Sequence, residues 1–552
     1  MSDIRRRVEL TVDADEARGY RDRGWWRDRT IAEDFLDAVA SAPDKTAIVS
    51  VGETGVRRTL TFSQLADEVD RLADALYTAG VRPGEVVSMQ LPNWWEFAAV
   101  HLACARVGAV TNPITPILRH REVEFILRRT ASRVCIVPST FRRFDYARML
   151  VEVGQEVPSL EHIWVIGDDL PDGTDSFAEV VGRADGQATR SRGHEPDPDG
   201  PAQIQFTSGT TGEPKGVVHT FNTLALSVRA APEALDLDRR DVVLMASPLS
   251  HNTGFMFGMS MPLMYGMTTI FMDTWNPDAA LRLIGEQRVT FTMGSTIFVT
   301  DLCEAARRTG GNASSLRYFV CGGAPIPPVV VEQTRRHLRT QLVAAWGMTE
   351  NGIATITRPE DSDEIVQSTD GGPLPWVEVT VVDEAGSPQP TGRSGRLLIK
   401  AANEHRTYLG RDDLHRACFH DGWFDTGDLA RMTDDGYIRI TGRLKDIIIR
   451  AGENIPVLEV EAALLESPLV KEVAIVGVPD ERLGERACAV VVPADPAAPP
   501  DLAALTAHLG AVRMARHFWP EHVVIADQLP KTPSGKVQKY VLRESVLAGV
   551  QS

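Results

Sequence analysis

Two lysine-containing loops, far apart in the chain, have residue types that could bind phosphate. The loop "FTSGTTGEPKG", residues 206–216, combines glycines, hydroxyl side chains and Lys215 directly after the predicted strand "AQIQF". Successive backbone N–H groups, hydroxyls and one ammonium suit a triphosphate. The second stretch, "PKTPSGKVQK" at residues 530–539, contains Gly535 and Lys536 but too few glycines and hydroxyls to hold a triphosphate alone. The first loop therefore predicts a nucleotide site, although its spacing is not that of a Walker A loop.

The first loop offers a contact to phosphate at almost every position. The predicted contacts are Thr207, Ser208, Gly209, Thr210, Thr211, Gly212 and Lys215. A Gly- and Thr-rich turn is commonly only a loop, but its place after a strand and its lysine favour function. Lysine is scarce in this chain, with eight among 58 basic residues. Since a compact ammonium fits where a planar guanidinium does not, we expect some of these lysines to have specific roles.

Three further motifs have the chemistry of a nucleotide site. "WGMTE", residues 346–350, offers an aromatic face, a hydroxyl and a carboxylate, and the Glu350 carboxylate suits Mg²⁺, which prefers oxygen ligands. Asp428, in "FDTGDLA", could accept hydrogen bonds from both ribose hydroxyls, or could simply cap a turn. The small residues of "CGGAPIP", residues 321–327, leave room for a flat ring. Trp346 is equally compatible with ordinary core packing.

The order of these motifs resembles that of the adenylate-forming (AMP-binding) superfamily, which includes acyl-CoA synthetases, nonribosomal-peptide adenylation domains and luciferases. Six matching motifs cover nearly the whole chain, at residues 206–216, 321–327, 346–350, 424–430, 442–455 and 530–536. The resemblance implies a catalytic role for Thr349, Glu350 and Lys536, with Glu350 as the Mg²⁺ ligand. It adds these nucleotide contacts: Gly323, Ala324, Pro325, Trp346, Gly347, Met348, Thr349, Asp428, Arg443 and Lys536.

The resemblance also implies a reaction in two halves. A carboxylate attacks the α-phosphorus of ATP to give an acyl-adenylate and pyrophosphate, and a thiol then attacks the acyl carbon and releases AMP. No protein nucleophile is needed, because catalysis consists of positioning the reactants and neutralising charge. Lys445 corresponds to the hinge about which the small domain turns, carrying Lys536 in and out of the site. The predicted tunnel for coenzyme A is formed by Ala451, Gly452, Glu453 and Asn454.

The acyl group is predicted to bind in a methionine-rich stretch at residues 248–272, "PLSHNTGFMFGMSMPLMYGMTTIFM". Methionine fills irregular apolar space, although the same pattern is typical of ordinary core. This stretch has no acidic residue, whereas amino-acid-activating relatives usually place an aspartate there. The resemblance is greatest to the branch that activates medium-chain fatty, alicyclic or aromatic acids. The predicted pocket residues are His251, Thr253, Gly254, Phe255, Gly294 and Phe298.

Composition limits the fold class and the cellular context. The 552 residues, with 43% hydrophobic and 24% charged, are typical of a globular enzyme, and strands alternating with helices predict an α/β fold with mostly parallel sheets. We predict an AMP-binding domain at residues 1–444, with a β-rich subdomain from about 377 to 444, and a mobile α+β domain at 445–552. The net charge of −17 argues against nucleic-acid binding. Scattered cysteines and the lack of a signal-like segment predict a cytoplasmic protein without a zinc site.

Three functions remain open at this point. The first is a carboxylate–CoA ligase that uses ATP, Mg²⁺ and coenzyme A; only 16 residues follow Lys536, so free coenzyme A is favoured as the thiol. The second is a stand-alone adenylating enzyme that loads a carrier protein. The third is a non-catalytic nucleotide- or acyl-binding protein, which the intact Lys215, Glu350, Asp428 and Lys536 disfavour. A homodimer is compatible with the sequence, and a membrane span is not expected.

Overall fold

The fold alternates strands and helices along most of the chain. The computed structural model describes residues 3–6, 8, 10, 12–52, 55–187, 197–207, 214–323, 326–444, 448–450, 453–480, 484–512, 514, 516–532 and 535–550. Its strands are β1 (Thr46–Gly52), β2 (Gly55–Thr61), β3 (Val86–Met89), β4 (Val110–Pro113), β5 (Val134–Pro138), β6 (Thr140–Phe141), β7 (Phe144–Asp145), β8 (His162–Ile166), β9 (Asp175–Ser176), β10 (Pro201–Thr207), β11 (Lys215–Thr220), β12 (Val242–Met245), β13 (Thr268–Met272), β14 (Phe291–Gly294), β15 (Tyr318–Gly322), β16 (Gln341–Met348), β17 (Gly352–Ile356), β18 (Gly372–Pro373), β19 (Val377–Val382), β20 (Gly395–Ala401), β21 (Thr407–Tyr408), β22 (Phe419–His420), β23 (Trp423–Met432), β24 (Ile438–Arg443), β25 (Ile448–Arg450), β26 (Glu453–Ile455), β27 (Val470–Asp480), β28 (Gly484–Pro493) and β29 (His522–Ile525).

The helices lie mainly between these strands. They are α1 (Ala14–Asp22), α2 (Ile31–Ser41), α3 (Phe62–Thr78), α4 (Trp95–Val107), α5 (His120–Thr130), α6 (Tyr146–Gly154), α7 (Phe177–Gly182), α8 (Phe221–Val228), α9 (Ala230–Leu235), α10 (Met261–Met264), α11 (Pro277–Gln287), α12 (Thr296–Thr309), α13 (Pro328–Gln333), α14 (Asp363–Ser368), α15 (Asp412–Ala417), α16 (Val457–Leu465), α17 (Leu502–Ala511) and α18 (Lys539–Val550). Segments Thr253–Ser260 and Thr334–Leu338 are π-helical, and Ile4–Arg6 and Arg516–Phe518 are 3₁₀ turns.

Two sheets of mostly parallel strands form the main body. Within the described residues, the large sheet has the strand order β18-β17-β16-β15-β14-β12-β13-β1-β2, and the second sheet has the order β21-β11-β10-β4-β3-β5-β8-β9. Helix α4 contacts β1 of the large sheet and β4 of the second sheet, so it lies between them. Its side chains are almost all buried, as expected for an apolar helix enclosed by two sheets. These observations confirm the predicted α/β class.

Most of the remaining strands form two smaller sheets that are mainly antiparallel, and β6 pairs with β7 in a separate two-stranded sheet. In the described residues, β19, β20, β23, β22 and β24 make one antiparallel sheet, and β26, β25, β28, β27 and β29 make the C-terminal sheet. Strand β21 lies within residues 377–444 but pairs with β11 of the second sheet. An ion pair of 3.3 Å joins Arg431 of β23 to Glu459 of α16. The antiparallel sheet is therefore in contact with the C-terminal segment that contains α16. The division at residues 444 and 445 stays a prediction.

Local sequence signals explain several element boundaries. The sequence predicts a helix over residues 62–80, and α3 is observed at Phe62–Thr78 with Thr61 and Gln64 forming a capping box at its start. Helix α2 begins in the same way, with Thr30 and Glu33. The apolar stretch at residues 242–272 is a strand, a π-helix, a short helix and a second strand, so it forms core. Among the described residues, the helices are too short or too polar to cross a membrane.

Candidate active site

A turn between β16 and β17 carries Thr349 and Glu350, and two other segments hold its backbone. His219 Nε2 lies 2.7 Å from the carbonyl oxygen of Thr349 and donates to it. The backbone N–H of His405 donates to the carbonyl of Glu350 at 2.6 Å, and Asn403 Nδ2 donates to the carbonyl of Asn351 at 2.6 Å. Because successive carbonyls are bonded from different elements, this turn has little freedom to move.

Gly347 enters this turn where no larger residue fits. A Cβ atom at this position would lie 1.8 Å from the carbonyl oxygen of Gly352. The close approach coincides with an irregular register between β16 and β17, at Trp346 and Gly347. The glycine in "WGMTE" therefore allows the chain to reverse tightly before Thr349 and Glu350.

The Glu350 carboxyl group is buried and bonded to a tyrosine. Tyr408 Oη donates to Glu350 Oε1 at 2.9 Å, and only 7% of Glu350 is exposed. Burial raises the pKa of Glu350, while the Tyr408 hydrogen bond and the charges of Lys215 and Arg443 oppose that rise. Burial and the nearby carboxylate also raise the pKa of Tyr408, so its hydroxyl keeps its proton and acts as the donor.

One carboxylate at this position fits a magnesium ion that arrives with nucleotide. Mg²⁺ is commonly bound through one or two carboxylates together with substrate phosphates and water, rather than by a cage of protein ligands. Among the described residues, three or more His, Cys, Asp or Glu side chains do not cluster as a metal site. The donor set around Glu350 therefore fits a shared nucleotide–metal site better than a resident metal.

Trp346, Asp428 and Arg443 form a connected group beside this turn. Trp346 Nε1 donates to Asp428 Oδ2 at 2.9 Å, and Arg443 Nε pairs with Asp428 Oδ1 at 2.9 Å. The Asp428 carboxylate is 4% exposed. Strands β23 and β24 place Asp428 directly opposite Arg443. The structure thus brings together three residues that the sequence assigned separately to the nucleotide, and their contacts to ribose and base stay predictions.

The phosphate loop is described only at its two ends. Thr207 and Lys215 face each other at the ends of β10 and β11, which pair antiparallel. Lys215 Nζ lies 5.0 Å from the ring centroid of Tyr408. Several predicted nucleotide, hinge and tunnel residues lie outside the described residues, namely Ser208, Gly209, Thr210, Thr211, Gly212, Ala324, Pro325, Lys445, Ala451 and Gly452. Gly323 follows β15, while Glu453 and Asn454 belong to β26.

The tail loop that contains Lys536 packs against the main body. Gly535 has a φ of +84°, and a Cβ atom there would lie 2.8 Å from Ser295 Oγ and 3.4 Å from Ile297 Cδ1. Ser295 precedes α12 and follows Gly294, one of the predicted acyl-pocket residues. Thr532 holds the loop through its hydroxyl, which accepts the backbone N–H of Lys536 at 3.1 Å. The backbone at Gly535, next to Lys536, therefore lies near the end of β14.

The predicted acyl-pocket residues lie in two groups. His251, Thr253, Gly254 and Phe255 lie close together in or beside the π-helix, where the Phe255 N–H donates to the His251 carbonyl at 2.8 Å. Gly294 instead contacts Phe298, 3.1 Å from its would-be Cβ. Phe255 packs in the core between the two main sheets, whereas Phe298 packs on the opposite face of the large sheet, beside Trp275. The two phenylalanine rings are not brought together.

His251 is partly buried next to this segment, and its ring is neutral near pH 7. Burial lowers its pKa to about 4. Its Nε2 atom has no hydrogen-bond partner within the described part of the chain. A buried polar atom of this kind costs about 1–3 kcal/mol unless water or a ligand satisfies it. The place of His251 in the acyl pocket stays a prediction.

Four of the eight lysines have evident structural roles. Lys45 Nζ donates to the carbonyl of Gly266 at 2.6 Å, and Lys400, Lys531 and Lys539 pair with carboxylates at 3.0, 2.5 and 2.7 Å. The chain thus retains lysine for packing as well as for chemistry. The cysteines do not suggest a nucleophile, since burial raises the pKa of Cys321 to about 12.

The sequence interpretation missed one functional segment, residues 402–408 ("ANEHRTY"). It follows β20, and Asn403, His405, Arg406, Thr407 and Tyr408 are each at most 6% exposed. The available signal was a run of hydrogen-bonding side chains between a strand and Gly410. A polar run in a loop is ordinarily solvated, so this composition by itself predicts exposure. Two of its side chains contact the Glu350 turn directly, because Asn403 donates to the carbonyl of Asn351 and Tyr408 donates to Glu350.

Comparisons with known proteins agree with this arrangement. Residues 35–409 match the AMP-binding enzyme family and residues 459–536 match the AMP-binding enzyme C-terminal domain. The chain is 34% identical over 544 residues to the medium-chain fatty-acid–CoA ligase of Escherichia coli (strain K12), covering 98% of this chain and 94% of that protein. It is 33% identical to the salicyl-AMP ligase / salicyl-S-ArCP synthetase of Mycobacterium tuberculosis (strain ATCC 25618 / H37Rv), covering 95% and 92%.

Solved structures give the same result. The crystal structure of ATP-bound MatB from Rhodopseudomonas palustris superposes with a TM-score of 0.84 at 27% identity, covering 94% of this chain and 99% of MatB. Family matches at both ends and full-length relatives confirm the resemblance that six sequence motifs indicated. The chain belongs to the AMP-binding enzyme family and is an ATP-using, adenylate-forming acid ligase.

Proposed function

We propose that this enzyme joins a carboxylic acid to coenzyme A, with a medium-chain fatty, alicyclic or aromatic acid as substrate. The observation that carries the proposal is the apolar segment at residues 248–272, which is free of acidic residues and largely buried. It lies beside the Glu350 turn, because Asn252 Nδ2 donates to the carbonyls of Met348 and Thr349 at 3.3 and 3.2 Å. Such a segment suits an uncharged acyl chain or ring. The 34% identity to a medium-chain fatty-acid–CoA ligase over 98% of the chain supports the same substrate class and acceptor.

The reaction proceeds in two substitutions. An oxygen of the acid attacks the α-phosphorus of ATP, the bond to the bridging oxygen breaks, and pyrophosphate leaves. The sulfur of coenzyme A then attacks the acyl carbon, the thiol proton is lost to solvent, and AMP leaves with the bonding electrons. We assign Thr207 and Lys215 to the phosphates, and Asp428 to the ribose. Lys536 bridges the acid and the α-phosphate, since an ammonium stabilises the charge that develops there.

Magnesium supplies additional charge neutralisation when it is bound with ATP. Glu350 is the residue that would hold it, and Thr349 offers a neighbouring hydroxyl. The two residues follow Gly347 in a turn whose carbonyls are held by His219, His405 and Asn403. The protein's contribution is thus to fix the position of one carboxylate before the nucleotide arrives.

The C-terminal domain is proposed to move between the two halves of the reaction. The antiparallel sheet ends with β24 at Arg443 and the C-terminal sheet begins with β25 at Ile448, which supports a boundary near residue 444. Contact of Gly535 with Ser295 supports assigning this arrangement to the adenylation half. Rotation about Lys445 would then withdraw Lys536 and admit the thiol.

A carrier protein is the alternative acceptor. The 33% identical relative is a salicyl-AMP ligase / salicyl-S-ArCP synthetase, so a full-length similarity also favours aryl-acid adenylation followed by loading of a carrier. The methionine-rich segment around His251 is compatible with an alkyl chain or a ring, because methionine side chains adapt to either shape.

The deciding experiment measures pyrophosphate release with a panel of acids, followed by thioester formation. Hexanoate, octanoate, cyclohexanecarboxylate, benzoate and salicylate represent the three substrate classes. We expect acid-dependent pyrophosphate release and, on addition of coenzyme A, stoichiometric AMP and acyl-CoA. A thioester formed only with an aryl carrier protein would replace coenzyme A as the acceptor. Absence of pyrophosphate release with every acid in the panel would overturn the substrate assignment.

A further inference from the structure

Tyr408 touches both the lysine of the phosphate loop and the carboxylate of the Glu350 turn. Its hydroxyl donates to Glu350 Oε1 at 2.9 Å, and its ring centroid lies 5.0 Å from Lys215 Nζ. The tyrosine is 1% exposed. One rigid side chain thus contacts a cation through its ring and an anion through its hydroxyl. Tyr408 lies 193 residues after Lys215 and 58 residues after Glu350 in the sequence.

The backbone around Tyr408 is fixed to the strand that begins with Lys215. Strand β21 pairs antiparallel with β11, with Tyr408 opposite Val217. The pairing extends on both sides, because the Leu409 N–H donates to Gly216 at 2.8 Å and the Arg406 N–H donates to Val218 at 2.9 Å. The tyrosine ring therefore has a set position relative to the start of β11, where the lysine emerges.

The same segment also fixes the turn that carries Glu350. The N–H of His405 and the side chain of Asn403 bond the carbonyls of Glu350 and Asn351 at 2.6 Å each. Residues 403–408 hence hold the backbone of the turn, and Tyr408 holds its carboxylate. The Tyr408 hydroxyl holds the buried Glu350 carboxylate in one rotamer. Without that hydrogen bond, the carboxylate would be attracted to the nearby Lys215 ammonium.

We propose that Tyr408 is a positioning residue that holds the Glu350 carboxylate and the Lys215 ammonium apart and correctly placed for nucleotide and metal. The ring face stabilises the Lys215 ammonium, and the phenol hydroxyl stabilises the Glu350 carboxylate. Each charged group can therefore bind phosphate or Mg²⁺ while it keeps part of its contact with Tyr408. The inference rests on the proposed roles of Glu350 and Lys215. It does not depend on which acid or thiol the enzyme uses.

The test separates the hydroxyl from the ring. Tyr408→Phe keeps the ring beside Lys215 and removes the donor to Glu350, so we expect metal binding to weaken about tenfold, the size of one lost charge-assisted hydrogen bond. Binding is followed by electron paramagnetic resonance of Mn²⁺ titrated into the full-length protein with α,β-methylene-ATP, without acid or thiol. Tyr408→Leu removes the ring as well, and binding of α,β-methylene-ATP itself should weaken further.

Two controls make the result specific. Tyr437→Phe removes a similar hydroxyl–carboxylate pair, in which Tyr437 donates to both oxygens of Asp361 at 3.0 Å, and it should leave Mn²⁺ affinity unchanged. In a Glu350→Gln background, Tyr408→Phe should add less than about a twofold effect, because both changes act through the same carboxylate. Wild-type Mn²⁺ affinity in Tyr408→Phe, or an undiminished effect in the Glu350→Gln background, would overturn the proposal. If no acid in the panel supported pyrophosphate release, the Mn²⁺-binding measurement would still test this proposal, because it uses neither acid nor thiol.

Discussion

The indole N–H of Trp346 donates to Asp428 Oδ2 at 2.9 Å, while Arg443 occupies the other oxygen of the same carboxylate at 2.9 Å. Trp346 thereby links the strand before the Glu350 turn to the antiparallel sheet. A charged group held on both oxygens presents its remaining lone pairs in fixed directions. The tryptophan that the resemblance assigns to the nucleotide site therefore also fixes the carboxylate assigned to the ribose.

This contact predicts a nucleotide-binding defect in Trp346→Phe. The substitution keeps an aromatic face and removes the only indole donor to Asp428 that the described residues provide. We expect the KM for ATP in acid-dependent pyrophosphate exchange to rise about tenfold, with a smaller change in kcat, because the ground-state contact is lost. Trp376→Phe is the matched control, since Trp376 is buried and its N–H lacks an acceptor within the described part of the protein. Equal effects of the two substitutions would refute the role of the hydrogen bond.

Lys536→Ala should impair the two half-reactions unequally. The ammonium is proposed to act on the α-phosphate during adenylation and to be absent during thioester formation. We expect adenylation to fall by at least about a hundredfold, whereas thioester formation from a supplied acyl-adenylate stays within about threefold of wild type. Lys531→Ala, which removes a lysine paired with Glu472 in the same tail, serves as the control. Similar losses in both halves would rule out a moving Lys536.

The sequence predicted the fold class and the order of the motifs because both follow from local patterns. Strand periodicity, capping residues and glycine-rich turns are short-range features, and α3 illustrates how closely they set an element's start. Contacts between residues far apart in the chain could not be predicted from the sequence. Trp346 and Asp428 are 82 residues apart, and Glu350 and Tyr408 are 58 apart. Their meeting depends on strand order and register, which no local pattern specifies.

The acyl-pocket residues show the same limit in another form. The resemblance assigns Phe255 and Phe298 to one acyl pocket. The face of a sheet on which a side chain lies depends on the pleat and on the connection that follows the strand. In the structure these two rings belong to cores on opposite faces. The segment 402–408 was missed for the converse reason, since its polar composition predicts exposure and its burial depends on the Glu350 turn.

Gly535→Ala should prevent the tail loop from docking. The residue has a φ of +84°, and the new Cβ would lie 2.8 Å from Ser295 Oγ, so both backbone strain and a steric clash oppose the observed position. We expect adenylation to slow at least about tenfold, with thioester formation from a supplied acyl-adenylate retained. Gly386→Ala is a close control, because Gly386 has the same φ of +84° with open space around it. Partial rescue by Ser295→Ala would identify the clash, and normal adenylation in Gly535→Ala would exclude the contact from the reaction.

The buried His101 predicts a loss of stability in acid. Burial lowers its pKa from 6.5 to about 3, so between these values the unfolded chain binds a proton that the folded chain does not bind. Stability from this group is therefore complete above pH 6.5 and declines as the pH falls. Glu404 acts in the opposite direction, because burial raises its pKa to about 8 and the folded chain keeps a proton that the unfolded chain loses above pH 4.5.

Replacing His101 removes its contribution to the pH dependence of stability and leaves the opposing contribution of Glu404 in place. His101→Met keeps an apolar side chain of similar size on α4 and removes the titrating group. Between pH 7 and pH 5, we expect the free energy of unfolding to decrease by about 2 kcal/mol less in this variant than in wild type. Urea denaturation at the two pH values measures the difference. His120→Met, at a histidine whose side chain is 52% exposed, should follow the wild-type decrease. Identical pH dependence in His101→Met and wild type would mean that the imidazole gains a proton in the folded protein as readily as in the unfolded chain.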